Sequence, residues 1–292
     1  MHKFDRHGPR ILGSRRSRRS INSKISKWLT LLVGGAELVD RQIQPLGLAA
    51  MNVLEPQKGE HIVDIGCGFG QTSLALAAQV GPTGSVVGID ISKPMLELAL
   101  RRPRCAPDLR VTFRQLDAQT GDLGHGVFDA AFSRFGVMFF SDPVAAFANI
   151  RTWLKPGGRF AFVCWRTLRE NLWVQVPLQA ALAFIPPVAP PDPTAPGPFS
   201  FADASRVRSI LAEAGFESVT INPFDADIGG TDIEQTVTLA LNVDPLGVAL
   251  REHPKLTEDV ANAVRTSLSK YVTPAGVLMP AAVWLVLGHN PQ

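Results

Sequence analysis

One stretch constrains this chain more than any other: His61-Ile62-Val63-Asp64-Ile65-Gly66-Cys67-Gly68-Phe69-Gly70. Ile62, Val63 and Ile65 are β-formers in a short apolar run, the pattern of a strand buried in a parallel sheet. Asp64 stands at the end of that run, glycines follow at every second position, and residues 71–78 read as the start of a helix. Backbone without Cβ lets a ligand come close, and the first-turn N–H groups of a helix point outward unpaired. A strand that turns through glycines into a helix is therefore a cradle for a nucleotide-type cofactor.

The spacing says which one. A dinucleotide fingerprint carries glycine at its first, third and sixth positions, whereas counting from Gly66 the sixth residue is Gln71. An acid stands two residues before the first glycine, giving Asp-x-Gly-x-Gly-x-Gly. A carboxylate there would repel a pyrophosphate but suits a cofactor with a cationic amino-acid end. The pattern points to S-adenosylmethionine rather than NAD.

Beyond this loop, strand and helix signals alternate, which predicts right-handed βαβ units and a parallel sheet. Strands are expected at residues 85–90, 111–116, 127–133, 159–165, 216–224 and 281–288, with the turn Lys155-Pro156-Gly157-Gly158 leading into the fifth. A helix is expected from Pro94 to Arg102, with Ser92 as its cap. In an open α/β sheet the ligand sits outside the carboxyl ends of the strands. Asp90 ends the second strand, about 20 residues after Gly70, the spacing of a carboxylate that grips ribose hydroxyls. Asp117 and Ala118 end the third strand, where an adenine amino group would be bound. Ser133-Arg134-Phe135 ends the fourth and should border the reacting methyl. Ile91 and Met95 are placed to pack on adenine, with ordinary helix–sheet packing as the alternative. Cys67, between two glycines, reads as a small loop residue rather than a nucleophile.

Composition narrows the class. The chain has 292 residues, 46% of them hydrophobic, enough for one substantial core. Nine of its 29 Lys/Arg residues fall within residues 1–27 against one acid, so the remainder carries a net charge of −5. That argues against a nucleic-acid platform. The three cysteines, Cys67, Cys105 and Cys164, lie far apart, without metal-ligand spacing, so no metal and no disulfide framework is expected. No apolar run approaches the roughly 20 residues of a membrane span, and a cytoplasmic protein is expected. Residues 1–23 read as a disordered basic tail. Residues 24–292 read as one domain: N-terminal helices over 24–59, a cofactor-binding core over 60–165, and two inserted covers over 166–200 and 231–280. In the N-terminal part, Pro45 is expected to start a second helix.

The stretches Val63–Gly70, 87–92, 116–118, 128–133 and 154–159 together resemble the class I S-adenosylmethionine-dependent methyltransferases, particularly the ubiquinone/menaquinone-biosynthesis branch. The resemblance covers residues 60–165. It implies an α/β Rossmann-like, doubly wound seven-stranded sheet in the order 3-2-1-4-5-7-6 with the last strand antiparallel. It also implies S-adenosylhomocysteine and a methylated acceptor as products. Cofactor contacts are expected from Asp64, Gly66, Cys67, Gly68, Gly70, Asp90, Ile91, Met95, Asp117, Ala118 and Ser133.

The acceptor is less legible. The fourth strand's end lacks the Asn/Asp-Pro-Pro-Tyr motif with which many nucleic-acid and protein methylators hold a target nitrogen. The covers offer Trp165, Arg166, Trp173, Phe184, Phe201, His253 and Tyr271, a set suited to a small, largely apolar or aromatic acceptor. Trp28 and Gln42 could reach the site from the N-terminal helices. Arg134, His253 and Tyr271 are the candidate catalytic residues, Arg134 having an equal claim to be a salt-bridged structural arginine. An RNA or protein methyltransferase guided by the basic tail, or a non-catalytic module that binds S-adenosylmethionine, are the alternatives.

Overall fold

A computed structural model describes residues 36–102, 108–186, 192–243 and 246–292. The tail expected over 1–23, the helix expected from residue 24 to 35, Trp28 and Cys105 lie outside the described residues. Strands β1 (His61–Ile65), β2 (Ser85–Asp90), β3 (Val111–Gln115), β4 (Phe128–Arg134) and β5 (Leu154–Trp165) pair in parallel in the order β3-β2-β1-β4-β5. Then β8 (Gly276–His289) runs antiparallel to β5, and β6 (Glu217–Thr231) closes the sheet on the far side of β8. The two-residue β7 (Val272–Thr273) merely folds back on the start of β8. Counting it renumbers the last strand. The order is otherwise the expected one.

Burial explains the central strands. Ile62 and Val63 of β1 are both fully buried, as are Ala130, Ala131 and Phe132 of β4, so neither sheet face meets water there. Helices α1 (Ala36–Leu54), α2 (Gln71–Val80), α3 (Lys93–Ala99) and α4 (Pro143–Trp153) follow or precede these strands. Helix α4 is capped by Asp142, whose carboxylate accepts from the Ala145 N–H. It contributes Phe147 to an aromatic cluster with Phe160, Phe162, Phe201 and Phe216. Phe201, read from sequence as a possible substrate contact, therefore belongs to the core.

Three expectations are corrected. Helix α1 is continuous through Pro45 rather than broken there. Pro45 and Arg41, four residues back, are both exposed, so water can satisfy the carbonyl that loses its partner. Ser92 stands at the start of α3, yet its hydroxyl makes no cap and is buried without a partner. Strands β6 and β8 are longer than the sequence suggests, and together they extend a two-stranded arm past the sheet. Gly229 sits in that arm at φ 129°, where an added Cβ would lie 2.1 Å from the Val277 carbonyl oxygen.

The arm carries the second insert, which holds α7 (Ile233–Asn242), α8 (Leu246–Glu252) and α9 (Thr257–Leu268); α5 (Leu172–Ala181) comes from the first insert, and α6 (Ala204–Glu213) precedes β6. Ala181 and Ile185 of the first insert pack with Val237, Leu250, Val260 and Val264 of the second, forming a second hydrophobic cluster joined by Val277 and Met279 of β8. The inserts thus make one cap. Because Pro45 costs an exposed helix interior one hydrogen bond, Pro45→Ala is expected to stabilise the protein by about 1–3 kcal/mol in urea denaturation; no gain would mean that the helix loses nothing at Pro45.

Candidate active site

The loop between β1 and α2 turns through Gly66, Gly68 and Gly70, all at positive φ. At Gly66 this is a packing requirement as well, since a Cβ would lie 2.8 Å from the Cα of Gly136 in the loop after β4. Ser133 reinforces the junction by donating its hydroxyl to the Ile65 carbonyl at 2.7 Å. The Gly68 N–H donates to one carboxylate oxygen of Asp90 at 2.9 Å, and the Ser92 N–H donates to the other at 2.8 Å. Burial raises the Asp90 pKa, and these backbone donors oppose the rise.

Below the loop mouth lies a cavity of about 210 Å³. Gly66, Cys67 and Gly68 line it, together with Asp90, Ile91, Met95, Asp117 and Ala118. The sequence-expected residues are thus brought together from three strand ends. Ser133 and Gly70 are not in that lining: Ser133 bonds the strand behind it, and Gly70 is packed against Phe113 and Ala99. The Cys67 thiol is buried, and burial beside Asp64 and Asp90 pushes its pKa well above normal, which suits a packing residue and not a nucleophile.

Asp64 is corrected too. It does not line the cavity but lies fully buried behind the loop, accepting the hydroxyls of Thr72 and Ser73 at 2.7 and 2.6 Å in the first turn of α2. There it holds a negative charge at a helix N-terminus. Its other oxygen is buried without a partner. Burial drives its pKa from 3.8 up to about 6, against the two hydroxyls and Arg134.

Several contributors carried no signal in the sequence. Asp40 of α1 accepts from Arg134 at 2.7 Å and from Arg102 at 2.6 Å, while Arg134 also donates to Gln71. This clasp brings Val39, Asp40 and Ile43 to the cavity wall. Arg134 lines the wall as well, but as a paired, buried arginine. Asn149 of α4 donates to the carbonyls of Ala118 and Gly121, steadying the loop after β3.

A second, smaller chamber of about 110 Å³ adjoins the first and shares Val39, Ile43, Phe135 and Phe139 with it. Phe135 sits at φ 64°, an unusual backbone for a bulky residue, with its ring stacked on Trp165 at 4.1 Å and 10°. Trp165 in turn meets Trp173 of the cap at 4.9 Å. His253 and Tyr271, the other catalytic candidates, line neither space. His253 is exposed at the end of α8, and Tyr271 packs against the cap's own cluster. Phe184 is 40% exposed, and Arg166 is ion-paired to Glu170 and Asp225. Among the described residues no group of acids, histidines and cysteines could hold a metal, and no helix is long and apolar enough to cross a membrane.

Residues 62–158 match the family described as a methyltransferase domain. This segment is similar to a methyltransferase domain. The chain is 37% identical over 119 residues to aklanonic acid methyltransferase DauC of Streptomyces sp. strain C5, covering 40% of this chain and 54% of that one. It is 26% identical over 188 residues to the demethylmenaquinone methyltransferase of Staphylococcus carnosus, covering 61% and 76%. The stretch matched in the former is thus about half the relative's length. Among solved structures, the YcgJ protein of Bacillus subtilis matches with a TM-score of 0.56 at 18% identity, over 85% of this chain and 98% of that one. The fold shared with that structure therefore extends well beyond residues 62–158.

The buried acid behind the glycine loop has a pH signature. With its folded pKa raised to about 6, Asp64 holds its proton in the folded protein where the unfolded chain has already lost it. Its contribution is favourable below about pH 4 and is lost as pH rises to about 6, a change of about 3 kcal/mol. Asp64→Asn removes that dependence. Urea denaturation is expected to show wild type losing ground to the variant between pH 4 and 7, and parallel pH profiles would refute the assignment.

Proposed function

We propose that this protein is an S-adenosylmethionine-dependent methyltransferase acting on a small, largely apolar or aromatic molecule. The observation that carries the reading is the pair of adjoining spaces. One is walled by bare glycine backbone, a buried carboxylate and apolar side chains, and the other is walled by aromatic rings. The first suits a nucleoside with an amino-acid end. Asp90 would take the ribose hydroxyls, with Ile91 and Met95 flanking the adenine and the loop of Asp117 and Ala118 at its edge. Gly66, Cys67 and Gly68 would leave room for the amino-acid end. Asp64 and Ser133 would act from behind by fixing the loop. The second space would hold the acceptor under the cap formed by the two inserts.

When bound, S-adenosylmethionine supplies a methyl group already activated on a sulfonium. What remains for the chain is to align the acceptor in line with that methyl and to keep water out. Phe135 and Phe139 lie on the wall common to both spaces and would set that line. The names of the aklanonic acid and demethylmenaquinone enzymes, both acting on small molecules, favour the same substrate class.

The test is cofactor binding. Hydrogen bonds from hydroxyls to a carboxylate contribute about 1.5–3 kcal/mol each. Asp90→Ala should therefore weaken S-adenosylhomocysteine binding by about one to three orders of magnitude in isothermal titration calorimetry. Unchanged affinity would overturn the placement, and wild-type protein that binds no S-adenosylhomocysteine would overturn the proposal.

A further inference from the structure

The aromatic chamber has one side chain that does not match its surroundings. Its lining is apolar save for Gln42, the single residue there able both to donate and to accept a hydrogen bond. The other polar groups are the indole N–H groups of Trp173 and Trp165, which can only donate; that of Trp173 is already used by the Asn171 carboxamide oxygen at 3.2 Å, and Trp165 has its ring stacked on Phe135. Gln42 is half-buried, and no hydrogen bond ties its amide to any described residue. A polar group at an apolar wall is costly to leave unpaired. Nor is its direction accidental: Val39, Gln42 and Ile43 follow the spacing of one helix face, and all three line the chamber. The clasp of Asp40 with Arg134 and Arg102 fixes the rotation of that turn.

Charge sharpens the point. No ionisable side chain lines the chamber. The nearest cation on the neighbouring wall, Arg134, is committed to Asp40 and Gln71. An anionic acceptor would find no counter-charge on the protein and would come close to Asp40 and Asp90, which face the adjoining space; only the sulfonium of bound S-adenosylmethionine would offset its charge.

We infer that Gln42 is the specificity-determining residue of the acceptor site, and that it selects a neutral, flat aromatic molecule by one hydrogen bond to that molecule's hydroxyl or carbonyl. This deepens the methyl-transfer reading and rests on it. Gln42 orients the ring against the aromatic wall of Phe135, Trp165 and Trp173, with the polar substituent toward α1. No side chain of the chamber can take a proton, so the acceptor atom must be nucleophilic in the form in which it binds, or lose its proton to solvent.

Equilibrium dialysis of the full chain with saturating S-adenosylhomocysteine tests this with three probes of one shape: 2-naphthol, naphthalene and 2-naphthoate. Wild type should bind 2-naphthol best and 2-naphthoate least. Gln42→Met, close in size and a good helix former, should weaken 2-naphthol binding about three- to tenfold and leave naphthalene unchanged. An equal effect on naphthol and naphthalene, or no effect on either, would overturn the role of Gln42. Tightest binding of 2-naphthoate would overturn the neutral acceptor. Failure of 2-naphthol to bind, with S-adenosylhomocysteine binding intact by calorimetry, would overturn the inference while leaving the cofactor reading standing; loss of S-adenosylhomocysteine binding itself would strike at the cofactor reading instead.

Discussion

A Cβ on Gly66 would lie 2.8 Å from the Cα of Gly136, and one on Gly136 would lie 2.9 Å from the Cα of Gly66. The loops leaving β1 and β4 therefore touch backbone to backbone, and they can do so only because both residues lack a side chain. These two strands are neighbours at the place where the sheet reverses its order, where an open α/β sheet keeps its crevice. The contact closes the floor of that crevice. It also aims the loop's later glycines outward, Gly68 toward Asp90 and Gly70 into the start of α2. Space for a ligand is created beside the contact rather than at it.

Charge is distributed around this floor in an unusual way. Asp64, Asp90 and Asp40 are all nearly inaccessible, and each is spent on holding a different piece of chain. Asp64 anchors the first turn of α2, Asp90 grips the loop through Gly68, and Asp40 binds α1 to β4 through Arg134. Buried acids are expensive unless paired. Only Asp40 has full ionic partners, and Asp64 is left with one oxygen unsatisfied. The resulting strain is concentrated at the mouth of the crevice, where an ordered and electronegative surface would be useful to a cationic ligand.

Much of this was legible in the residues, for identifiable reasons. β1 and β4 are buried on both faces and so read as apolar runs, and glycines at alternate positions announce the turn. Asp90 lines the cavity, as a spacing along one βαβ unit leads one to expect. Asp64 does not, since a strand end specifies a height in the sheet but not which way a side chain points. The arm formed by β6 and β8 was also missed. Asp225, Asp227, Gly229 and Gly230 have poor strand propensity, and they are held by pairing with residues some 50 positions away in β8. His253 and Tyr271 were placed in the right insert, but the face each presents depends on cap packing that no local pattern encodes. Asp40 carries no local signal, because its role depends on Arg134 and Arg102 converging on it from distant parts of the chain.

The cap explains why the two inserts, so far apart in sequence, occur together. Helix α5 alone has an apolar face with nothing to bury it, and α7, α8 and α9 have the same problem. Packed together they cover each other, with β8 supplying Val277 and Met279 as the root of the cluster. Cap stability is then largely independent of the chamber beneath it. Trp173 packs against that cluster and also lines the chamber, as do Val174, Leu239 and Val243 beside it. The glycine contact is the less tolerant part, since a Cβ on either glycine would meet backbone. On the proposed function, the underside of the cap and one face of α1 would select among acceptors, while the strand ends of the sheet would bind the cofactor.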